Sequence, residues 1–299
     1  MTIESLQAFS DQVAEVVQSA GKSAVRVDAR QRIAGTGIVW GPDVILTADH
    51  VVEREEEIAV SVDGNSFTAE LVGRDPPTDV AALRIKGGNL TPAAQGDPQA
   101  LKVGHLVIAI GRPWSTEAIV SVGFVSGKGS SWVGRHTPFR EGLIQADVTL
   151  YPGFSGGPLV DASGRMVGMN SSVLGRGMAL AIPTDTVSRV MAALLKEGRV
   201  RRGHLGVGLQ LVPISDKIAA KLTTTQERGL MILTVEPGSA AEAAGLLPGD
   251  ILVRIGDQAL VGLEDLQRAL TADRIGQPVD VTVIRGGDVK HVSVVVGAK

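Results

Sequence analysis

The chain has 299 residues, 44% of them apolar and 20% charged, with a net charge of −3 and no cysteine. That length suits about two soluble domains of ~100–200 residues each, and the near-neutral balance leaves no electrostatic footprint for nucleic acid. Disulfides, thiolate zinc sites and a cysteine nucleophile are excluded outright.

The opening segment MTIESLQAFSDQVAEVVQSAG places Leu6, Phe9, Val13, Val16 and Val17 at helical spacing, with Gly21 as a stop. This predicts a helix over residues 1–22 that packs on the body of the protein or on a neighbouring subunit. The segment carries neither a basic leader nor an apolar signal core. As written, the chain is therefore expected in the cytoplasm, or in the periplasm or cell envelope if a leader has been removed. No run approaches the ~18 apolar residues of a membrane span.

From Ser23 to Pro183 short β-branched stretches follow one another, among them SAVRVDAR, AGTGIVW, DVILTA, EIAVSV, HLVIAIG and RMVGMN. Gly, Pro, Asp or Asn punctuates nearly every gap, a density that predicts a mainly β barrel or sandwich pair. PTDTVSRVMAALLKEGRV then switches to helical spacing through Val187, Val190, Met191 and Leu194. Beyond it, strands mixed with two short helical stretches, ending in a hairpin around Gly286-Gly287, predict a mixed module of roughly one hundred residues. The domain boundaries expected are 1–22, 23–198 and 199–299.

Ser155 lies in YPGFSGGPLVD, and a serine hydroxyl attacks poorly unless a base takes its proton and a carboxylate orients that base. Upstream, His50 ends the strand-like DVILTADHVV, and Asp79 opens an apolar strand in DPPTDVAALRI. The order His, Asp, Ser opposes a G-x-S-x-G nucleophile elbow, whose acid and histidine come after the serine and whose serine precedes a helix. GGPLVDASGRMVGMN, with Pro158 and a hairpin-like ASGR turn, reads as strands instead. Taken singly, His50 reads as a satisfied strand histidine, Asp79 as a turn cap and Ser155 as a glycine-rich turn. Together they reproduce three motifs in order.

GTGIVW, DVILTADHVV, TDVAALRI, VSVGFVSG, LIQADVTLYPGFSGGPLV and MALAIPTD occur in the order seen in HtrA/DegP-type serine proteases. The stretch from Gly35 to Thr184 resembles their chymotrypsin-like double β-barrel. GSAAEAAGLLPGDILVRIGDQAL and RGHLGVGL resemble the PDZ domain that follows it. The resemblance implies His50 as general base, Asp79 as its orienting carboxylate, Ser155 as nucleophile, and the amides of Gly153 and Ser155 as the oxyanion hole. It also implies a specificity pocket at Thr149, Leu150 and Met178 that takes small or medium aliphatic side chains. Leu205, Gly206 and Val207 would bind a peptide C-terminus. Polypeptide substrates, no cofactor or metal, no nucleic-acid partner and a homo-oligomer, with a trimer favoured, follow from the same likeness. The second reading is a chaperone or peptide-sensing scaffold with a latent or distorted triad.

Three positions depart from the family pattern. Asp49 replaces an alanine beside His50, Phe154 replaces an asparagine before the nucleophile, and Met178-Ala179-Leu180 replaces a motif that more often reads IGF. Alternation along a strand would point Asp49 away from His50, while its charge adds negative potential near the imidazole. The short segment between Arg30 and Ile33 leaves no room for a long regulatory insertion. His105, His136, His204 and His291 lack metal-ligand spacing, and His204 stands where the PDZ loop often carries an aromatic.

Overall fold

Alternating or continuous apolar runs set the strands of the computed structural model, which describes residues 3–31, 33–114, 117–129, 142–175, 177–222 and 226–298. The chain folds as two compact units, Met1–Val200 and Arg201–Lys299. In the first, helix α1 (Ile3–Gly21) precedes six strands: β1 (Ala24–Asp28), β2 (Gly35–Gly41), β3 (Val44–Thr47), β4 (Ile58–Val62), β5 (Asn65–Asp75) and β6 (Val80–Ile85). They close into a barrel in the order β1-β2-β3-β6-β5-β4. β4 shows the half-buried alternation, with Ile58, Val60 and Val62 inward, whereas all of β3 is buried.

Six more strands form a second barrel: β7 (Leu106–Gly111), β8 (Ile119–Lys128), β9 (Ile144–Ala146), β10 (Pro158–Asp161), β11 (Met166–Ser171) and β12 (Ala179–Pro183). Its order, β7-β8-β9-β12-β11-β10, repeats that of the first barrel with every number raised by six. Both close through a pairing of their outermost strands, β1 with β4 and β7 with β10. Closure leaves no free sheet edge. Helix α2 (Thr184–Glu197) buries Val187, Val190, Met191 and Leu194 in the same apolar cluster as Ile38, Leu46 and Leu83 of the first barrel. Gly198 ends it in the left-handed region, its N–H returning to the Leu194 carbonyl.

Of the two docking partners expected for α1, the body of the protein is the one observed. Val13, Val16, Val17 and Ala20 pack with Ile108, Ile110 and Val160 of the second barrel. Leu6 and Phe9, nearer the start of the helix, stay exposed.

The second unit holds β13 (Gly203–His204), β14 (Val207–Pro213), α3 (Asp216–Ala219), β15 (Arg228–Val235), α4 (Ala240–Ala243), β16 (Ile251–Ile255), β17 (Gln258–Ala259), α5 (Leu263–Ala269), β18 (Pro278–Arg285), β19 (Asp288–Val295) and β20 (Gly297–Ala298). Its main sheet runs β14-β15-β16-β18-β19, so β14 is an edge strand. The hairpin expected at Gly286-Gly287 joins β18 to β19. Both glycines have positive φ, 62° and 87°, as a two-residue turn twisted to match its strands requires.

Asp250 is fully buried and accepts two hydrogen bonds at 2.7 Å from the Arg285 guanidinium and a third from the Leu247 amide. Burial pushes its carboxyl up, but these donors outweigh burial and hold it below the ordinary carboxylate value. A group depressed by folding stabilises above its unfolded value and loses that contribution as pH falls through its folded value. Asp250→Asn should therefore cost about 3–5 kcal/mol at neutral pH, as for a broken buried pair. The deficit should shrink as wild type is titrated below about pH 4. Calorimetric unfolding of both chains between neutral and acid pH checks this; a deficit independent of pH would contradict it.

Candidate active site

β3 stops at Thr47, and the chain leaves the barrel through a 3₁₀ turn, Asp49–Val51. This corrects the expectation that His50 and Asp49 lie on a strand, because the Asp49 amide leaves the β3 ladder to bond the Asp79 turn. A second 3₁₀ turn, Pro76–Thr78, delivers Asp79 in the left-handed region at φ 56°, uncommon for a residue other than glycine. The Asp49 amide donates to the Asp79 carbonyl at 3.1 Å, stitching the two turns together.

His50 and Asp79 meet at close range. The imidazole Nδ1 lies 2.8 and 2.9 Å from the two Asp79 carboxylate oxygens, and the His50 amide donates to the first of them at 3.0 Å. Ser171, at the end of β11, donates its hydroxyl to the other at 2.6 Å. Asp79 is 3% exposed, so three donors converge on a buried carboxylate. A carboxylate on Nδ1 selects the tautomer that carries hydrogen there, leaving Nε2 as the proton-accepting nitrogen.

Asp49 is engaged by a partner of its own. Arg74 grips its carboxylate through Nε and its carbonyl through Nη2, and this pairing counters the negative potential expected beside His50.

Ser155 sits in a loop whose backbone is determined by Tyr151-Pro152-Gly153-Phe154. The Phe154 amide donates to the Tyr151 carbonyl at 3.0 Å, and Gly153 has φ 88°. A four-residue turn with proline second and a positive φ at its third residue is type II. Type I and type II differ by a half-rotation of the central peptide, so the Pro152-Gly153 pair decides which way the Gly153 N–H faces. A Cβ at position 153 would also lie 2.3 Å from Pro113. The amides of Phe154, Gly156 and Gly157 all donate to carbonyls. Among the described residues the Gly153 and Ser155 amides donate to none, leaving two free donors on either side of Phe154.

The loop is held from both barrels. Thr36 of β2 donates its amide to the Ser155 carbonyl at 3.1 Å and its hydroxyl to the Gly153 carbonyl at 2.7 Å. That hydroxyl also accepts from the Arg112 amide at 2.8 Å. The Arg112 side chain, 7% exposed, donates to the Gly21 carbonyl at the C-terminus of α1, where a cation opposes the helix dipole. Burial pushes its guanidinium below the ordinary arginine value, with the Asp63 carboxylate opposing.

Phe154 packs entirely inside the second barrel. It is 0% exposed, clusters with Val107, Ile144, Leu159 and Val167, and meets Tyr151 edge-on at 5.5 Å. Gly111 makes the space, since a Cβ there would lie 2.6 Å from the ring.

The residues singled out for specificity are not gathered into one cluster. Leu150 is half-buried against the second-barrel core, Met178 packs with the cluster containing Met169 and Leu180, and Thr149 is exposed with its amide on Ser121. In the second unit, Leu205 is buried in the core, Gly206 has φ 79°, and Val207 begins the edge strand β14. His204 contacts Glu236 at 3.1 Å, His291 contacts Thr282 and Asp280, and the His105 ring accepts from the Lys102 amide. His136 and Arg32 lie outside the described residues. Among the described residues no cluster suits a metal ion, and no helix is long and apolar enough to cross a membrane. Sequence reasoning missed Thr36, Arg74, Ser171 and Ser172; the one signal was a polar Asn-Ser-Ser run closing the apolar MVGM.

Comparison with known proteins gives a trypsin-like peptidase domain over residues 35–169 and a PDZ domain over 204–296. A DegP-like periplasmic serine endoprotease of Chlamydia muridarum is 35% identical over 91% of this chain and 55% of its own. The serine protease HhoB of Synechocystis is 33% identical over 87% of this chain and 65% of its own. The chain thus spans just over half to two thirds of the length of these relatives. Among solved structures, the HtrA-type protease AlgW with a tripeptide is 30% identical, with a TM-score of 0.79 over 96% of this chain and 97% of that one. The serine endoprotease from Yersinia pestis is 28% identical, with a TM-score of 0.77 over the same shares.

Because Phe154 anchors the loop by core packing, Phe154→Ala should lower stability by about 3–5 kcal/mol. Phe154→Leu should cost far less. Denaturant unfolding monitored on the full chain measures both, and an alanine variant as stable as wild type would contradict the anchoring role.

Proposed function

The chain belongs to the HtrA-type serine protease family, and from that premise we propose that it is a serine endopeptidase that cleaves unfolded or exposed polypeptide through an acyl-enzyme. The observation that carries this reading is the pair of free amides at Gly153 and Ser155 on the same loop as the Ser155 hydroxyl. A glycine-rich turn without a catalytic task would satisfy them with protein acceptors, as it does for their neighbours.

In this reading Ser155 Oγ attacks the scissile carbonyl carbon while its proton passes to His50 Nε2. The carbonyl oxygen becomes an oxyanion facing the Gly153 and Ser155 amides. Losing one such donor typically slows the reaction ~100- to 1,000-fold. Nε2 then returns the proton to the departing amine, the C–N bond breaks, and an ester remains on Ser155. Water, deprotonated by the same nitrogen, hydrolyses that ester. Asp79 holds the Nδ1 hydrogen throughout and stabilises the imidazolium. Ser171 supports the carboxylate from behind.

Thr149, Leu150 and Met178 line the primary specificity pocket in this proposal. None carries a charge, which favours Val, Ala or Leu in the substrate over Lys or Arg. Leu205, Gly206 and Val207 receive a peptide C-terminus that adds a strand beside β14, an edge open to pairing. AlgW structures with a decapeptide and a tripeptide support peptide recognition in this family. The exposed Leu6 and Phe9 of α1 support assembly of several copies, with a trimer favoured. Relatives named as periplasmic favour the cell envelope as the compartment.

A fluorophosphonate probe should label the wild type and fail on Ser155→Ala and His50→Ala. Asp79→Asn should lose about 10,000-fold in kcat. A peptide series should show cleavage after small or medium aliphatic residues. Labelling that survives Ser155→Ala would remove Ser155 as nucleophile, and preference for basic residues would overturn the pocket assignment.

A further inference from the structure

The nucleophile has a partner that the mechanism above does not use. Ser172, exposed and next to the Ser171 that braces Asp79, places its Oγ 2.9 Å from the Ser155 Oγ. Its backbone N–H donates to the same oxygen at 3.2 Å. Among the described residues, Ser155 makes no hydrogen bond to His50, whose Nδ1 is on Asp79.

A serine hydroxyl has one hydrogen and two acceptor lone pairs. When the Ser155 hydrogen points to Ser172, it is not available to Nε2. When the Ser172 hydrogen points to Ser155 instead, two donors draw on the oxygen that must attack. The first orientation competes directly with the contact that general-base catalysis requires, and the second leaves the hydrogen free but draws electron density from the attacking oxygen. We propose that Ser172 is a positioning residue that holds the Ser155 hydroxyl in a resting arrangement, from which it turns to His50 before attack. The inference rests on the endopeptidase reading. It makes the resting state a property of the β11 terminus and leaves the oxyanion turn already formed.

The test compares wild type, Ser172→Ala and Ser172→Thr in fluorophosphonate labelling and in kcat/KM against pH on an unstructured peptide. Ser155→Ala serves as the control. Ser172→Ala should label about 3- to 10-fold faster, the effect of one neutral hydrogen bond, while Ser172→Thr, which keeps the hydroxyl, stays within about 2-fold of wild type. The acid limb of the Ser172→Ala profile should also move to lower pH, because a Ser155 hydroxyl donating to Nε2 favours the neutral ring. A merely structural role would not move that limb. Ser172 is exposed, so melting temperatures within about 2 °C of wild type are expected. An alanine variant no faster than wild type, an unmoved acid limb, or a threonine variant that follows alanine would overturn the proposal. Labelling that survives Ser155→Ala would instead remove the endopeptidase reading, so the two failures are distinct.

Discussion

Thr36 holds the loop of one barrel from the wall of the other. Its amide and hydroxyl fix the carbonyls of Ser155 and Gly153, the same hydroxyl receives the Arg112 amide, and its carbonyl accepts from Thr47. Turning these two carbonyls toward the first barrel is what commits the backbone around Ser155. A half-rotation of either adjoining peptide would break a buried hydrogen bond and leave an unsatisfied group at ~1–3 kcal/mol. His50 and Asp79 descend from the same barrel as Thr36, so this contact, together with the Ser171–Asp79 bond from β11, registers the His50–Asp79 pair against Ser155.

Around that contact the site divides its labour. Charge sits on the histidine side, where a buried carboxylate gathers His50 and Ser171 while Arg74 counters the extra negative charge of Asp49. Backbone dipoles sit on the serine side, where Pro152 and Gly153 favour one turn type and Phe154 pins it into the core. Donors that need no reorganisation during reaction are the more effective in a site shielded from water. The fold therefore supplies orientation through hydrogen bonds that link residues far apart in sequence, such as the 117 positions between Thr36 and Gly153.

That separation explains what could be read from the chain. The mainly β first unit, the mixed second module and the hairpin at Gly286-Gly287 follow from local periodicity and turn chemistry, which are sequence-neighbour effects, whereas the choice of a double barrel over a sandwich comes from the family resemblance. His50, Asp79 and Ser155 were singled out because their types and order match a specific family pattern, and of these the structure pairs His50 with Asp79. For Asp49 the strand alternation was extended past Thr47, where the chain had already entered a 3₁₀ turn, and the Arg74 that engages its carboxylate comes from β5, remote in sequence. Phe154 gave no usable signal, since its meaning lies in Gly111 and a barrel interior that only the fold assembles. Thr36 and Ser172 are ordinary hydroxyls until strands remote in sequence bring them to the Ser155 loop.

The central claim is that the Pro152-Gly153 turn presents a ready oxyanion site beside Ser155. A crystal structure of the protein with a peptide boronate tests it most directly. The account predicts a bond from Ser155 Oγ to boron, one boronate oxygen within hydrogen-bond reach of the Gly153 and Ser155 amides, and a positive φ retained at Gly153. A boronate that avoids Ser155, or an adduct that forms only with the Pro152-Gly153 peptide flipped, would contradict it.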